Sequence, residues 1–154
     1  MKSLLIGSGA FLADYVGKRL AEKHLDNKRE TRSYLHDRVS FQLVKNKGMA
    51  GGGHADDPKL VTGVSLAGVV CMAAMAAYES AQRDKVSSLS KAGTALMLGG
   101  GAGNLLDRLT KHEVTDFICF KHLNGKPGKY VYNIADLALF AGATLCLLGS
   151  LKEK

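Results

Sequence analysis

The sequence predicts an all-α membrane protein of four transmembrane helices with one polar insertion, and three observations carry that prediction. Apolar residues are gathered into blocks near 3–25, 60–78, 92–106 and 130–151, with charge concentrated between them. The second block is uncharged over nineteen positions, about 28 Å of helix against a hydrocarbon core of ~30 Å. Two aspartates, Asp116 and Asp136, stand at the inner ends of apolar segments. An ionisable group at membrane depth costs roughly 2.5–3.5 kcal/mol and is rarely kept without a use.

In order along the chain, residues 3–13 are uncharged, and Asp14 and Lys18 follow before the first helix ends near Leu25. Four residues apart, Asp14 and Lys18 share one helix face and can pair there. The competing reading is a cleaved signal peptide, but no A-x-A site precedes Asp14 and the helical pattern runs on through AEKHL. Residues 26–59 form the polar insertion. A mixed-charge run at 26–38 reads as solvated surface, Val39, Phe41 and Leu43 alternate as in a half-buried strand, and a turn is expected around Asn46, Gly48 and Gly51–Gly53. The triple glycine is no phosphate loop, because no Gly-Lys-Ser/Thr follows it. After the second span, residues 79–91 are a short polar connection.

The third span, 92–106, is rich in glycine. Small residues that let helices approach closely in a bilayer explain this better than a dinucleotide loop, since no strand pattern precedes it. Asn104, Asp107 and Arg108 follow at i, i+3 and i+4, on one face, and Asp107 reads as structural, paired with Arg108 or Lys18. Residues 114–120 read as a strand or a helix re-entry with Asp116 in the middle, and GKPGK at 125–129 as a turn. The fourth span starts at Tyr130, placing Asn133 and Asp136 on one helix face. An acid at a helix N-terminus is the competing reading of Asp136, disfavoured because apolar or amide residues precede it within the same block.

Composition narrows the function. At 154 residues the length fits one domain, 1–154. Cys71, Cys119 and Cys146 are far apart and odd in number, and the five histidines lack ligand spacing, so neither a disulfide framework nor a metal site is expected. The net charge of +7 comes without a recognisable nucleic-acid motif, which favours lipid headgroups over nucleic acid as its partner. Two carboxyls close in space cannot readily both ionise. One protonated and one charged carboxyl with a water between them is the working set of an aspartic protease, so the residues point to an intramembrane hydrolase.

Five short motifs occur in order over nearly the whole chain: Asp14-x-x-x-Lys18, Asn46-x-Gly48, Gly103-Asn104-x-x-Asp107-Arg108, Val114-x-Asp116-Phe117 and Asn133-x-Ala135-Asp136. In these the chain resembles signal peptidase II, the lipoprotein signal peptidase of bacteria. The resemblance implies a catalytic pair at Asp116 and Asp136. It implies substrate-positioning roles for Asn46, Gly48, Asn104, Arg108 and Asn133, and supporting roles for Asp14 and Lys18. It further implies four membrane helices with a small extracytoplasmic β-cradle supplied by residues 26–59. The implied reaction removes the signal peptide of a prolipoprotein before a diacylglyceryl-modified cysteine, without metal or cofactor. The enzyme would be a multi-pass monomer of the bacterial plasma membrane among lipids, its site near the extracytoplasmic face. Tyr15 stands where the family usually has glutamine, and the charge bias of the loops runs against the positive-inside tendency. Substitutions around Asn46 and this charge bias motivate the alternative of a non-catalytic polytopic scaffold, or a degenerate relative that binds lipoproteins without cutting them.

Overall fold

The computed structural model describes residues 2–25, 32–34, 39–49, 53–82, 85–120 and 130–151. Most of the 26–38 charge run, Gly51, Gly52, Arg83, the turn at 125–129 and the tail at 152–154 lie outside the described residues. Eight elements follow one another: α1 (Lys2–His24), β1 (Arg32–Tyr34), β2 (Val39–Asn46), α2 (Pro58–Ala81), α3 (Ser88–Lys111), β3 (Val114–Phe120), β4 (Val131–Tyr132) and α4 (Ile134–Ser150).

Helix starts follow their local chemistry. The Asp57 side chain accepts from the Leu60 N–H, with Pro58 where a missing N–H costs nothing. Ser87 caps α3 in the same way through the Ser90 N–H. At the far end of α3, His112 takes a left-handed conformation (φ 60°), one of the standard ways to stop a helix, and turns the chain into β3. The third helix is therefore longer at both ends than residues 92–106, because Ser87 and His112 set its limits rather than its hydropathy.

Helix α3 is central and packs against α1, α2 and α4. Its contacts are made by small residues. A Cβ on Gly93 would lie 2.5 Å from the Gly142 carbonyl oxygen and 2.7 Å from Cys146 Sγ, and one on Gly142 would meet the Gly93 oxygen equally closely. Close backbone approach of this kind holds helices together where the solvent is itself apolar. Gly93→Val is accordingly expected to lower the thermal midpoint in detergent through overpacking of about 1–3 kcal/mol. Gly63→Ala, where an added Cβ meets nothing within 4 Å, leaves the midpoint unchanged or slightly raised.

The outward faces are apolar, and the interior holds polar and charged groups beside its apolar core. Leu4, Leu5, Leu12, Val16, Val64, Val70, Phe140, Leu147 and Leu148 are exposed, whereas Asp14, Lys18, Asn104, Asp107, Asp116 and Asn133 are buried. Among the described residues, α2 alone is long and apolar enough by length and composition to cross a membrane, and almost none of it is buried inside the bundle; α4 is apolar but shorter.

A four-stranded antiparallel sheet, in the order β1-β2-β3-β4, sits beside the C-terminal end of α1. Of the two readings of residues 114–120, the strand is the one present. One expectation is corrected: the sheet is not confined to the 26–59 insertion, since β3 comes from between α3 and α4 and β4 precedes α4. Strand β2 carries one extra residue between Phe41 and Val44, and beyond that bulge Val44 pairs with Asp116 and Asn46 with Val114. On β3, Phe117 packs with Ala21 and Leu43, and the Thr115 hydroxyl reaches Glu22 of α1. Alternation therefore turns Asp116 to the opposite face of the strand.

Candidate active site

Asp116 and Asp136 converge although different kinds of element hold them. Strand β3 delivers Asp116, and the first turn of α4 delivers Asp136. The fourth helix does not begin at Tyr130 as expected, because Val131 and Tyr132 pair with β3 and Asn133 is the N-cap. Asn133 and Asp136 form a capping box: Asn133 Oδ1 accepts from the Asp136 N–H (2.8 Å), and Asp136 Oδ2 accepts from the Asn133 N–H (3.1 Å). Asp136 is thus the helix N-terminal acid that the hydropathy pattern disfavoured. That local role coexists with its place at the site.

Asn133, fully buried, ties the two acids together. Its Nδ2 donates to Asp116 Oδ1 (2.7 Å) and to Asn104 Oδ1 (3.0 Å), while Asn104 Nδ2 donates to Asp136 Oδ1 (2.9 Å). From the sheet, Asn46 Nδ2 donates to Asp116 Oδ2 (3.2 Å) across the β2–β3 diagonal. Asn46 Oδ1 accepts from the Gly48 N–H (2.9 Å), and the Gly48 carbonyl accepts from Arg108 (3.1 Å). Burial first, then the nearby Asp136 carboxylate, push the Asp116 carboxyl up from 3.8 to about 7, against the hydrogen bonds of Asn46 and Asn133 and the charge of Lys18.

Beneath the pair lies an ion cluster. Lys18 Nζ sits 2.6 Å from Asp14 and 3.4 Å from Asp107, and donates to Asn104 Oδ1 (2.8 Å). Asp14 Oδ1 accepts from the Ala135 N–H (2.8 Å), fixing α1 to the start of α4. Gly103 makes room for this, because a Cβ there would come within 2.5 Å of Asp14 Oδ2. Of the two partners expected for Asp107, Lys18 is present and Arg108 is not. Adjacent helix positions point about 100° apart, so Asp107 turns inward to Lys18 and Lys111 (2.8 Å) while Arg108 turns to Gly48. A further group escaped the sequence reading: Glu22 takes Lys45 (2.6 Å), Lys111 (2.8 Å) and the Thr115 hydroxyl (3.0 Å). Around it, the Arg19–Glu22 and Asp107–Lys111 spacings are readable as helix pairs.

All ten predicted site residues thus belong to one connected region. Asn46, Asn104, Arg108, Asp116 and Asp136 line a cavity of about 430 Å³ between α2, α3, α4 and the sheet; Met72, Tyr132 and Phe140 also line it, and no sequence pattern marked them. A larger cavity of about 590 Å³ lies between α1, α2 and α3, near Glu79 and Lys91. Glu79 is the one carboxyl among its described lining residues, whereas Asp116 and Asp136 both line the smaller cavity. Among the described residues no three His, Cys, Asp or Glu side chains come together as a metal ligand set would require.

The model of the family described as signal peptidase (SPase) II matches residues 6–152. The chain belongs to the signal peptidase II family. Relatives named lipoprotein signal peptidase include one from a Sulfurihydrogenibium species, 34% identical over 134 residues, which cover 86% of this chain and 80% of the relative. One from Aquifex aeolicus is 33% identical over 151 residues, covering 94% of this chain and 83% of the relative. Two solved structures, both described as a bacterial membrane enzyme obtained by the in meso method, superpose with TM-scores of 0.83 and 0.80. Each covers 99% of this chain and is 21% identical to it, which establishes the signal peptidase II chain and those enzymes as sharing a fold. The superposition spans 88% and 94% of the two solved chains.

Proposed function

We propose that this signal peptidase II chain is an intramembrane aspartic endopeptidase that removes signal peptides from diacylglyceryl-modified prolipoproteins, cleaving before the lipidated cysteine. Asp116 and Asp136 are its catalytic pair. The observation that carries the reading is their convergence on one cavity through a shared, buried Asn133.

The chemistry follows from the two environments. Asp136 accepts two N–H groups at the positive end of α4 and serves as the carboxylate. Asp116, kept protonated below about pH 7 by burial and by its neighbour, serves as the acid. A water oxygen attacks the scissile carbonyl carbon, its proton passes to Asp136, and Asp116 gives its proton to the carbonyl oxygen. In the collapse of the resulting gem-diol, the proton on Asp136 goes to the departing amide nitrogen and one hydroxyl proton returns to Asp116. Asn46 and Arg108, on the cavity wall, position the substrate beside the pair, and the hydrogen bond from Arg108 holds the Gly48 loop over it.

The chain acts as one four-span domain of the bacterial plasma membrane. Exposed Leu4, Leu5, Leu12, Val16 and Leu20 on α1 and exposed Phe140, Leu147 and Leu148 on α4 support spans there, and the charges of α1 at Asp14 and Lys18 are turned inward and paired. The sheet and the site share one end of the bundle, assigned to the extracytoplasmic face, where the substrate's diacylglyceryl chains enter the bilayer beside the cavity. The enzyme is proposed to act as a monomer.

The test is incubation of the purified protein, in lipid mesophase or detergent, with a lipid-modified precursor and with the same precursor unmodified. Cleavage of the first and not the second is expected, read by mobility shift and mass. Binding of the lipid-modified precursor without any cleavage would favour the non-catalytic relative.

A further inference from the structure

We propose that Lys18 is a positioning residue for catalysis: its ammonium fixes which way the Asn104 carboxamide faces, and so keeps an N–H donor on Asp136. The inference rests on the reading of Asp136 as half of the catalytic pair.

A carboxamide can present either end to its surroundings, and the neighbours decide which. Asn104 Oδ1 accepts from Lys18 Nζ at 2.8 Å and from Asn133 Nδ2 at 3.0 Å, both obligatory donors at those atoms. If Asn104 turned over, its NH₂ would face an ammonium and an amide NH₂, with nothing there to accept, and its oxygen would face Asp136. The observed orientation is therefore the one in which every partner is satisfied, and it leaves Nδ2 2.9 Å from Asp136 Oδ1. Lys18 has no freedom to leave, being buried and held by Asp14 at 2.6 Å and Asp107 at 3.4 Å. Asn133 gives one N–H of its Nδ2 to Asn104 Oδ1 and the other to Asp116 Oδ1, so it supplies one of the two donors at Asn104 Oδ1, and Lys18 supplies the other, charged one. The ion cluster is thus two hydrogen bonds away from the carboxylate that receives the proton of water.

The charged groups around this path are few. Asp14 on α1 and Asp107 on α3 face Lys18, and Lys111 and Glu22 stand behind Asp107. Asp136 is faced by Asp116 from β3 and feels the charge of Arg108 from α3. Of these, only Lys18 donates to Asn104.

The experiment compares Lys18→Met, of similar length and without a donor, with Asn104→Ala and the double variant. Cleavage of a lipid-modified precursor is followed from pH 4 to 9, with the thermal midpoint of each protein as a check on folding. With Asn104 free to turn over, an oxygen meets Asp136 and favours its protonated form. Lys18→Met should therefore lower kcat roughly ten- to hundredfold with little change in KM, and move the acid limb of the rate profile to higher pH. In the Asn104→Ala background the same substitution should leave the acid limb where it is, since the path is already cut. Asp14→Asn/Lys18→Met removes one charge of each sign, so it provides a folded variant if the single one unfolds, and the same profile is expected of it. An unmoved acid limb in a folded variant, additive effects of Lys18 and Asn104, or unfolding of both Lys18 variants would each overturn the proposal and leave Lys18 a structural residue. Asp136→Asn run alongside separates the two ideas: if it still cleaves, the catalytic pair is misassigned, whereas its inactivity with a normal Lys18→Met profile defeats the positioning role alone.

Discussion

Cleavage of a lipid-modified precursor is expected to fall by at least about 10³-fold when either Asp136 or Asp116 is replaced by asparagine, with the protein still folded. A positioned acid or base contributes typically 10²–10⁴-fold, and in the proposed mechanism loss of either acid interrupts both proton transfers, because each hands on what the other needs. Folding should survive for reasons visible in the hydrogen bonds. In Asp136→Asn the remaining side-chain oxygen can still accept the Asn133 N–H, and Asn133 Oδ1 still caps the helix at the backbone of residue 136. The cost is an NH₂ set against Asn104 Nδ2, about 1 kcal/mol. The double variant should be no slower than the worse single one, since groups that act as a unit are not additive. Substantial cleavage by either single variant, measured as rate per folded enzyme, would remove the pair from the mechanism.

The parts of this site that the sequence revealed are those set by helix periodicity. Asp14 and Lys18 pair because positions four apart stack on a helix, and Asn104 and Asp107 face inward together because they are three apart. The β2 alternation of Val39, Phe41 and Leu43 marked a strand, though not the extra residue after Phe41 that sets the register of Val44 against Asp116. Hydropathy places the start of α4 too early, because Tyr-Val-Tyr is apolar and continues the hydropathy of the helix behind it. The competing signal, Asn133-x-x-Asp136, is a capping box, which should have outweighed hydropathy since it satisfies N–H groups that apolar residues cannot. The cluster of Glu22, Lys45, Lys111 and Thr115 was not legible, because it depends on four elements meeting and no local period encodes such a meeting. For the same reason, the approach of Asp116 to Asp136 followed from chemistry and family resemblance and not from pattern.

Asp116 should make the fold less stable as pH rises, and its replacement should reveal this. Its carboxyl sits at about 7 in the folded protein against 3.8 for the ordinary group. Between those values the folded state binds more protons than the unfolded state, so stability is greatest below about pH 4, declines through the window and levels off above about 7. Three pH units correspond to about 4 kcal/mol at most. Asp116→Asn has no proton to lose, so its thermal midpoint should change little across the window. At pH 8 it should lie above that of the unaltered protein by the equivalent of roughly 2 kcal/mol, the difference being one hydrogen bond spoiled where Asn46 or Asn133 now meets an NH₂. The same ionisation sets the alkaline limb of catalysis: kcat should fall about tenfold per unit above pH 7, although that limb belongs to the pair of acids and not to Asp116 alone. A site that must keep one acid protonated is thus less stable at neutral pH than an inert one of the same shape. Parallel curves of thermal midpoint against pH for the two proteins would show that Asp116 titrates like an ordinary carboxylate, and its role as the proton donor would fall with that result.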